Sequence, residues 1–179
     1  MQPHYKKLKR IEAPNQARLL TFSCHNRQPL LTDPTVCDDL ANQLSLTQDR
    51  LNFNLIAWVI MPKHVHILLI PERGTEIPTI LSAIKRPFAR RTLAALRASS
   101  TACPPGQAVA QSPPRFWQPG GGHDRNITER NYIAAAARYI HANPVRRALA
   151  ATPTDYRWSS ARAYAAMETP WPAINRPSG

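Results

Sequence analysis

Two histidines stand two residues apart inside the apolar run Leu55-Ile56-Ala57-Trp58-Val59-Ile60-Met61-Pro62-Lys63-His64-Val65-His66-Ile67-Leu68-Leu69-Ile70. Side chains of an extended strand alternate between faces, so His64 and His66 point the same way, about 6 to 7 Å apart along the backbone. Both rings can then converge on one metal ion. A buried imidazole without a partner is costly, so a pair in one hydrophobic strand calls for a role. Tyr139 and Asn143 are four apart on a later helical stretch and share a face. Two imidazoles and one amide oxygen leave a metal undersaturated, with room for water and phosphate oxygens. Such a mixed set suits Mg²⁺ or Mn²⁺ better than a closed zinc site. The ion would polarise a phosphodiester, and the Tyr139 phenolate would attack the phosphorus. Tyrosine is a weak nucleophile at its ordinary pKa near ~10, and a neighbouring cation and arginines would favour the phenolate. The product would be a covalent phosphotyrosine, which conserves the bond for religation.

Each of these residues also has a plainer reading. His64 and His66 could be core histidines bonded to backbone. Tyr139 could be a core aromatic of the Ala-rich helix. Tyr132, seven residues earlier on nearly the same face, is the rival nucleophile but lacks an Asn four residues on. Asn143 before Pro144 could serve only to end the helix. His123 and His141 read as surface or DNA-facing, and His141 sits about 200° round the helix from Tyr139, outside the site. Trp117 and Trp158 read as core before base-stacking platforms.

The elements that must position these groups follow from patterning. Residues 1–16 read as a basic arm with Lys6, Lys7, Lys9 and Arg10. Arg18 to Cys24 is a strand candidate, and Asp33 to Gln48 a helix with a ragged apolar face. Phe53 to Ile60 and His64 to Ile70 are strands joined tightly through Met61-Pro62-Lys63 into a hairpin. Residues 76–97 are helical despite Pro78 and Pro87. They carry Lys85, Arg86, Arg90 and Arg91, with no acid after Glu76. Residues 98–114 read as an Ala/Ser/Pro-rich loop. Arg115 to Gln118 is a strand candidate, and Gly120-Gly121-Gly122 a turn. A third helix is expected from Thr128 as N-cap, stapled by Ile127 against Tyr132, to Asn143. The order β-α-β-β-α-β-α predicts an α+β, ferredoxin-like fold, two helices packed on one face of a small antiparallel sheet. The expected division is the arm (1–16), one domain (17–165) and a Pro-rich tail (166–179).

The 179 residues carry a formal net charge of +12, which points to a polyanion, most simply nucleic acid. Lys85, Arg86, Arg90 and Arg91 are the first candidates for phosphate contact. Cys24, Cys37 and Cys103 lack CxxC spacing, which argues against a disulfide framework or a zinc site. There is no secretory pattern at the N-terminus and no apolar run of about 18 residues, so a soluble protein without a membrane partner is expected.

Taken together, the blocks Trp58 to His66, Arg115-Phe116-Trp117-Gln118, Gly121 to Asn126, Arg138 to Arg147 and Tyr156 to Ser160 resemble, in order, the IS200-like transposase domain of the HUH single-tyrosine nucleases. More narrowly they resemble the REP-associated tyrosine transposases. The likeness spans roughly residues 17–162. It implies cutting and rejoining of single-stranded DNA at palindromic hairpins, with a 5′-phosphotyrosine, a free 3′-OH and a divalent ion. It implies His64, His66 and Asn143 as ligands and Tyr139 as nucleophile. Lys6, Lys7, Lys9, Arg10, Lys85, Arg86, Arg90, Arg91, Arg125, Arg146 and Arg147 would grip DNA. Such an enzyme would work in the cytoplasm on the nucleoid, as monomer or homodimer. His123 departs from the family, where an aromatic is expected, and the 98–114 loop is longer than usual. Two rivals remain: a non-catalytic hairpin-binding regulator, and a metal-dependent nuclease that activates water.

Overall fold

A computed structural model describes residues 16–101, 115–167 and 171–175. The arm with Lys6, Lys7, Lys9 and Arg10, and residues 102–114 of the expected loop, lie outside the described residues. β1 (Ala17–Ser23), β2 (Asn54–Met61), β3 (His64–Ile70) and β4 (His123–Ile127) form one antiparallel sheet in the order β2-β3-β1-β4. α1 (Pro34–Leu51) and α2 (Ile77–Thr101) lie between strands in the chain, and α3 (Arg130–Arg146) follows β4. This is the ferredoxin-like arrangement that the element order predicts.

Alternation along the strands builds two cores. Leu20 and Phe22 of β1, and Val65, Ile67 and Leu69 of β3, face α1 and α2, where they meet Leu40, Leu44, Ile80, Ile84 and Phe88. On the other face Ala17, Val59, Met61 and Leu68 meet Ala136, Ala137 and Ile140 of α3. Burying a Leu- or Phe-sized side chain contributes about 2 kcal/mol, so a one-residue slip of β3 would forfeit much of the first core. α1 starts on an Asp33 cap, whose carboxylate accepts the Thr35 N–H at 2.7 Å, and ends on Asn52 in the left-handed region.

α2 runs unbroken through Pro87. A proline removes the N–H that would bond the carbonyl four residues back. That carbonyl, Ala83 O, accepts from Gln43 Nε2 at 3.1 Å and Thr47 Oγ1 at 3.5 Å, both buried on α1. The helix also continues past the expected boundary, through residues 98–101.

Other expectations are corrected. Arg115 to Gln118 is no strand: it makes one isolated bridge, Cys24 to Trp117, because consecutive Phe116 and Trp117 are both buried in the core and cannot alternate. The fourth strand is His123–Ile127. Gly122 (φ +75) lets it close on β1, because a β-carbon there would collide with the Thr21 carbonyl. α3 is preceded by Glu129 rather than Thr128, with no side-chain cap, and Tyr132 is exposed, so no staple forms. Nor does α3 stop at Asn143; it passes through Pro144 to Arg146.

The outer edge of β2 is paired by the segment after α3. Ile60 N–H donates to Trp158 O at 2.9 Å and Ser160 N–H to Trp58 O at 3.0 Å. Buried His141, expected at the surface, joins this region through Nε2 to Ser160 Oγ at 2.8 Å and an edge contact with Tyr164. Cys24 and Cys37 are buried free thiols whose pKa desolvation pushes up to about 12. Among the described residues no helix is long and apolar enough to cross a membrane.

Candidate active site

The strand period that sends Val65, Ile67 and Leu69 into the first core turns His64 and His66 toward α3. α3 covers only part of that face, and the remainder is a cleft of about 410 Å³ lined by His64, His66, Tyr139 and Asn143 among others. The two imidazole centroids are 4.7 Å apart with rings nearly perpendicular, and the His66 ring lies 5.8 Å from that of Tyr139. His66 Nδ1 is 2.7 Å from Thr21 Oγ1, which leaves Nε2 for the cleft. Burial holds both imidazoles neutral. The His66 pKa falls to about 3 through desolvation, aided by His64, Arg147 and His123. That of His64 is lowered by desolvation, then by the charges of Arg147 and Arg27. Neutral imidazole is the form that binds metal.

Tyr139 is 42% exposed, with the Arg146 guanidinium carbon 5.3 Å from its ring centroid. Tyr132 is exposed too but lies outside the cleft. Asn143 is buried, and its amide nitrogen donates to Tyr139 O at 2.7 Å and reaches Ile140 O at 3.5 Å. Ile140 O is the carbonyl that Pro144 leaves without an N–H, so the amide compensates the proline that was expected to end the helix. It also leaves the Asn143 oxygen without a backbone partner, in the cleft wall. Among the described residues no cluster of three or more His, Cys, Asp or Glu exists. The donor set for a cation is two neutral imidazoles and one amide oxygen, which fits an ion that keeps open positions.

The basic candidates divide. Arg147 lines the cleft and Arg146 stands over Tyr139. Arg125 is exposed on β4, on the same sheet face by alternation with buried Ile127. Arg86 and Arg90, one turn apart, are exposed on α2, across the sheet from the cleft. Arg91 is not free of acids: its guanidinium bonds Asp39 at 3.0 Å and Gln43 at 2.9 Å, both on α1. Lys85 donates to Gly120 O at 3.0 Å. Among the cleft residues that the sequence does not single out are Thr21, Arg27 and Lys63. Thr21 and Arg27 come from β1 and the turn after it, more than 35 residues upstream of the histidines by numbering, and nothing local marks them. Lys63 lies in the hairpin connection Met61-Pro62-Lys63, where spacing marks no role for it.

The family described as "Transposase IS200 like" matches residues 16–143. Among solved structures, a REP-associated tyrosine transposase bound to a REP hairpin superposes with a TM-score of 0.68 at 19% identity, covering 98% of this chain and 100% of that one. A transposase candidate from Deinococcus radiodurans R1 gives a TM-score of 0.47 at 23% identity, over 78% and 95% of the two chains. No curated protein matches significantly.

Proposed function

The chain belongs to the IS200-like transposase family, and on that premise we propose that it cuts and rejoins single-stranded hairpin DNA through a covalent bond to Tyr139. The observation that carries this reading is the meeting of Tyr139 with the His64–His66 pair in one open cleft, the Tyr139 ring 5.8 Å from His66. His64, His66 and the Asn143 oxygen would hold a divalent cation, Mg²⁺ or Mn²⁺, which when bound polarises the phosphodiester and offsets its charge. Thr21 orients the His66 ring. Tyr139 Oη forms a bond to phosphorus and loses its proton to solvent. The bond from phosphorus to the 3′ oxygen breaks, and that oxygen takes up a proton and leaves as a 3′-OH. The 5′-phosphate stays on the tyrosine, and attack by another 3′-OH reverses the step and frees the phenol.

Arg146 stands over the Tyr139 ring and sets a cation beside the attacking group. Arg125 offers a phosphate contact on the cleft face of the sheet and Arg147 one within the cleft, while Arg86 and Arg90 would grip DNA backbone on the opposite face. Lys85 and Arg91, spent on internal contacts, are weaker candidates. The superposable hairpin-bound transposase makes a palindromic REP-type hairpin the first substrate to try. The working unit is residues 17–165, with the basic 1–16 arm adding phosphate contacts.

The test mixes the protein with labelled hairpin DNA and Mn²⁺ and looks for a denaturant-resistant adduct. The expected result is an adduct in wild type and Tyr132→Phe, none in Tyr139→Phe, and none in His64→Ala or His66→Ala. Tight hairpin binding without an adduct would make the protein a regulator. Cleavage that survives Tyr139→Phe would make it a water-activating nuclease.

A further inference from the structure

The turn after β1 is built against the preference of its residues. Asn26 and Arg27 both take left-handed backbone angles, φ 50 and 53, which non-glycine residues seldom adopt in succession. The turn is held there by a segment some ninety residues on. His25 N–H donates to Phe116 O at 2.8 Å, Gln118 N–H to Ser23 O at 2.9 Å, and Asn26 N–H to the Gln118 side-chain oxygen at 3.0 Å. Phe116 and Trp117 fix that segment by packing on Phe22 and Phe88. Strained backbone persists where surrounding structure over-determines it, and it gathers where the placing of one side chain matters. The motif Phe116-Trp117-Gln118 thus has a task that the chemistry at Tyr139 does not explain.

The side chain so placed is Arg27. It is exposed and lines the cleft with His64, His66 and Tyr139, and no ion pair among the described residues engages it. Arg147, from the end of α3, lines the same cleft, as does Lys63 from the hairpin loop. Three cations and no carboxylate surround the histidines, although the protein keeps acids elsewhere to pair Arg18, Arg91 and Arg157. A planar guanidinium matches two oxygens of a phosphate, and donors fixed in advance around a reacting phosphorus act at no reorganisation cost.

We propose that Arg27 contacts the scissile phosphate, bonding its non-bridging oxygens while Tyr139 attacks, and that Gln118 is the positioning residue that holds Arg27 in the cleft. The proposal rests on the reading of Tyr139 as nucleophile for its catalytic part, but the phosphate contact itself is separable from cleavage.

Two measurements test it. The first works in Tyr139→Phe protein, where no covalent step intervenes. Hairpin strands carrying one neutral methylphosphonate at each linkage in turn are titrated by fluorescence anisotropy. At one linkage the neutral group should weaken binding about tenfold when Arg27 is present and leave it unchanged in Arg27→Gln. If no linkage shows a penalty that depends on Arg27, the contact does not exist. The second is single-turnover adduct formation at saturating DNA. Arg27→Gln should slow it roughly 100-fold, with Arg27→Lys between. Gln118→Ala should slow it less, Gln118→Glu should restore it by keeping the acceptor, and Gln118→Ala should add nothing to Arg27→Gln. An Arg27→Gln rate within about threefold of wild type, or a loss confined to affinity, would overturn the catalytic part. Absence of an adduct in wild type itself would instead overturn the tyrosine reading, while the binding scan still decides the phosphate contact.

Discussion

Thr21 Oγ1 and His66 Nδ1 lie 2.7 Å apart, across the β1–β3 register that pairs these two residues. The hydroxyl fixes which ring nitrogen faces the cleft, as outer partners of metal-binding imidazoles do. Thr21→Val keeps shape and removes the bond. It should weaken Mn²⁺ binding by about 10- to 100-fold while leaving the fold intact. Isothermal titration of Mn²⁺ into wild type and variant checks this; equal affinities would show that the hydroxyl does not orient a ligand.

Acid should destabilise the metal-free protein through buried imidazoles. The folded-state pKa is about 4 for His141 and about 3 for His66, both lowered first by desolvation from 6.5. The unfolded chain therefore binds more protons than the folded one below 6.5. Their contribution is complete above about pH 6.5 and is lost as pH falls toward 4 and then 3. For His141 alone the span of 6.5 to about 4 corresponds to an upper bound of roughly 3 kcal/mol. Urea unfolding in chelator at pH 7, 5.5 and 4.5 should show stability falling with pH. His141→Gln should flatten part of that slope; an unchanged slope would assign it elsewhere.

Gln43 and Pro87 should be coupled. Gln43→Leu removes the better of the two donors to Ala83 O, a buried carbonyl, and should cost about 1 to 3 kcal/mol. Pro87→Ala supplies the missing helical N–H. In the Pro87→Ala background the same Gln43→Leu change should cost measurably less, because Ala83 O then has a helical partner. Gln43 also accepts from Arg91, a loss common to both backgrounds, so the difference isolates the proline. Strict additivity in denaturation would refute the compensation.

Arg86 and Arg90 are expected to grip DNA backbone and not to take part in the chemistry. Arg86→Gln with Arg90→Gln should lower hairpin affinity at all sequences and reduce the slope of log affinity against log salt by roughly 1 to 2. The adduct rate at saturating DNA should stay unchanged. An unaltered salt slope would move the footprint off α2.

The fold class and the two same-face pairs, His64 with His66 and Tyr139 with Asn143, are legible in the order and spacing of the chain, because periods of two and of four are properties of backbone geometry. That the two pairs meet is implied only by the family resemblance. The fourth strand is not legible. Phe116 and Trp117 carry strand-forming side chains but both pack inward, whereas His123–Ile127 is a polar edge strand whose pairing depends on Gly122 fitting under Thr21. The length of α3 was hidden for a related reason. Pro144 reads as a stop unless the Asn143 side chain is known to bond the neighbouring carbonyls. Thr21 and Arg27 were illegible because cross-strand register and a two-residue left-handed turn bring them to the cleft, and neither leaves a local pattern.

The pairing of residues 158–160 onto β2 bears on how this chain tolerates being shortened. The stretch matched by the IS200-like family ends at residue 143, and Asn143 completes the set of four cleft residues singled out in the sequence. Yet β2 buries seven of its eight residues, and its outer backbone is occupied by Trp158 and Ser160. A fragment ending shortly after α3 would keep the four cleft residues and present a bare, hydrophobic edge strand, the template on which chains add to one another. Such a fragment should aggregate at concentrations where the whole chain stays monodisperse, so the boundary of a usable domain is set by edge protection and lies some twenty residues beyond the last of those four.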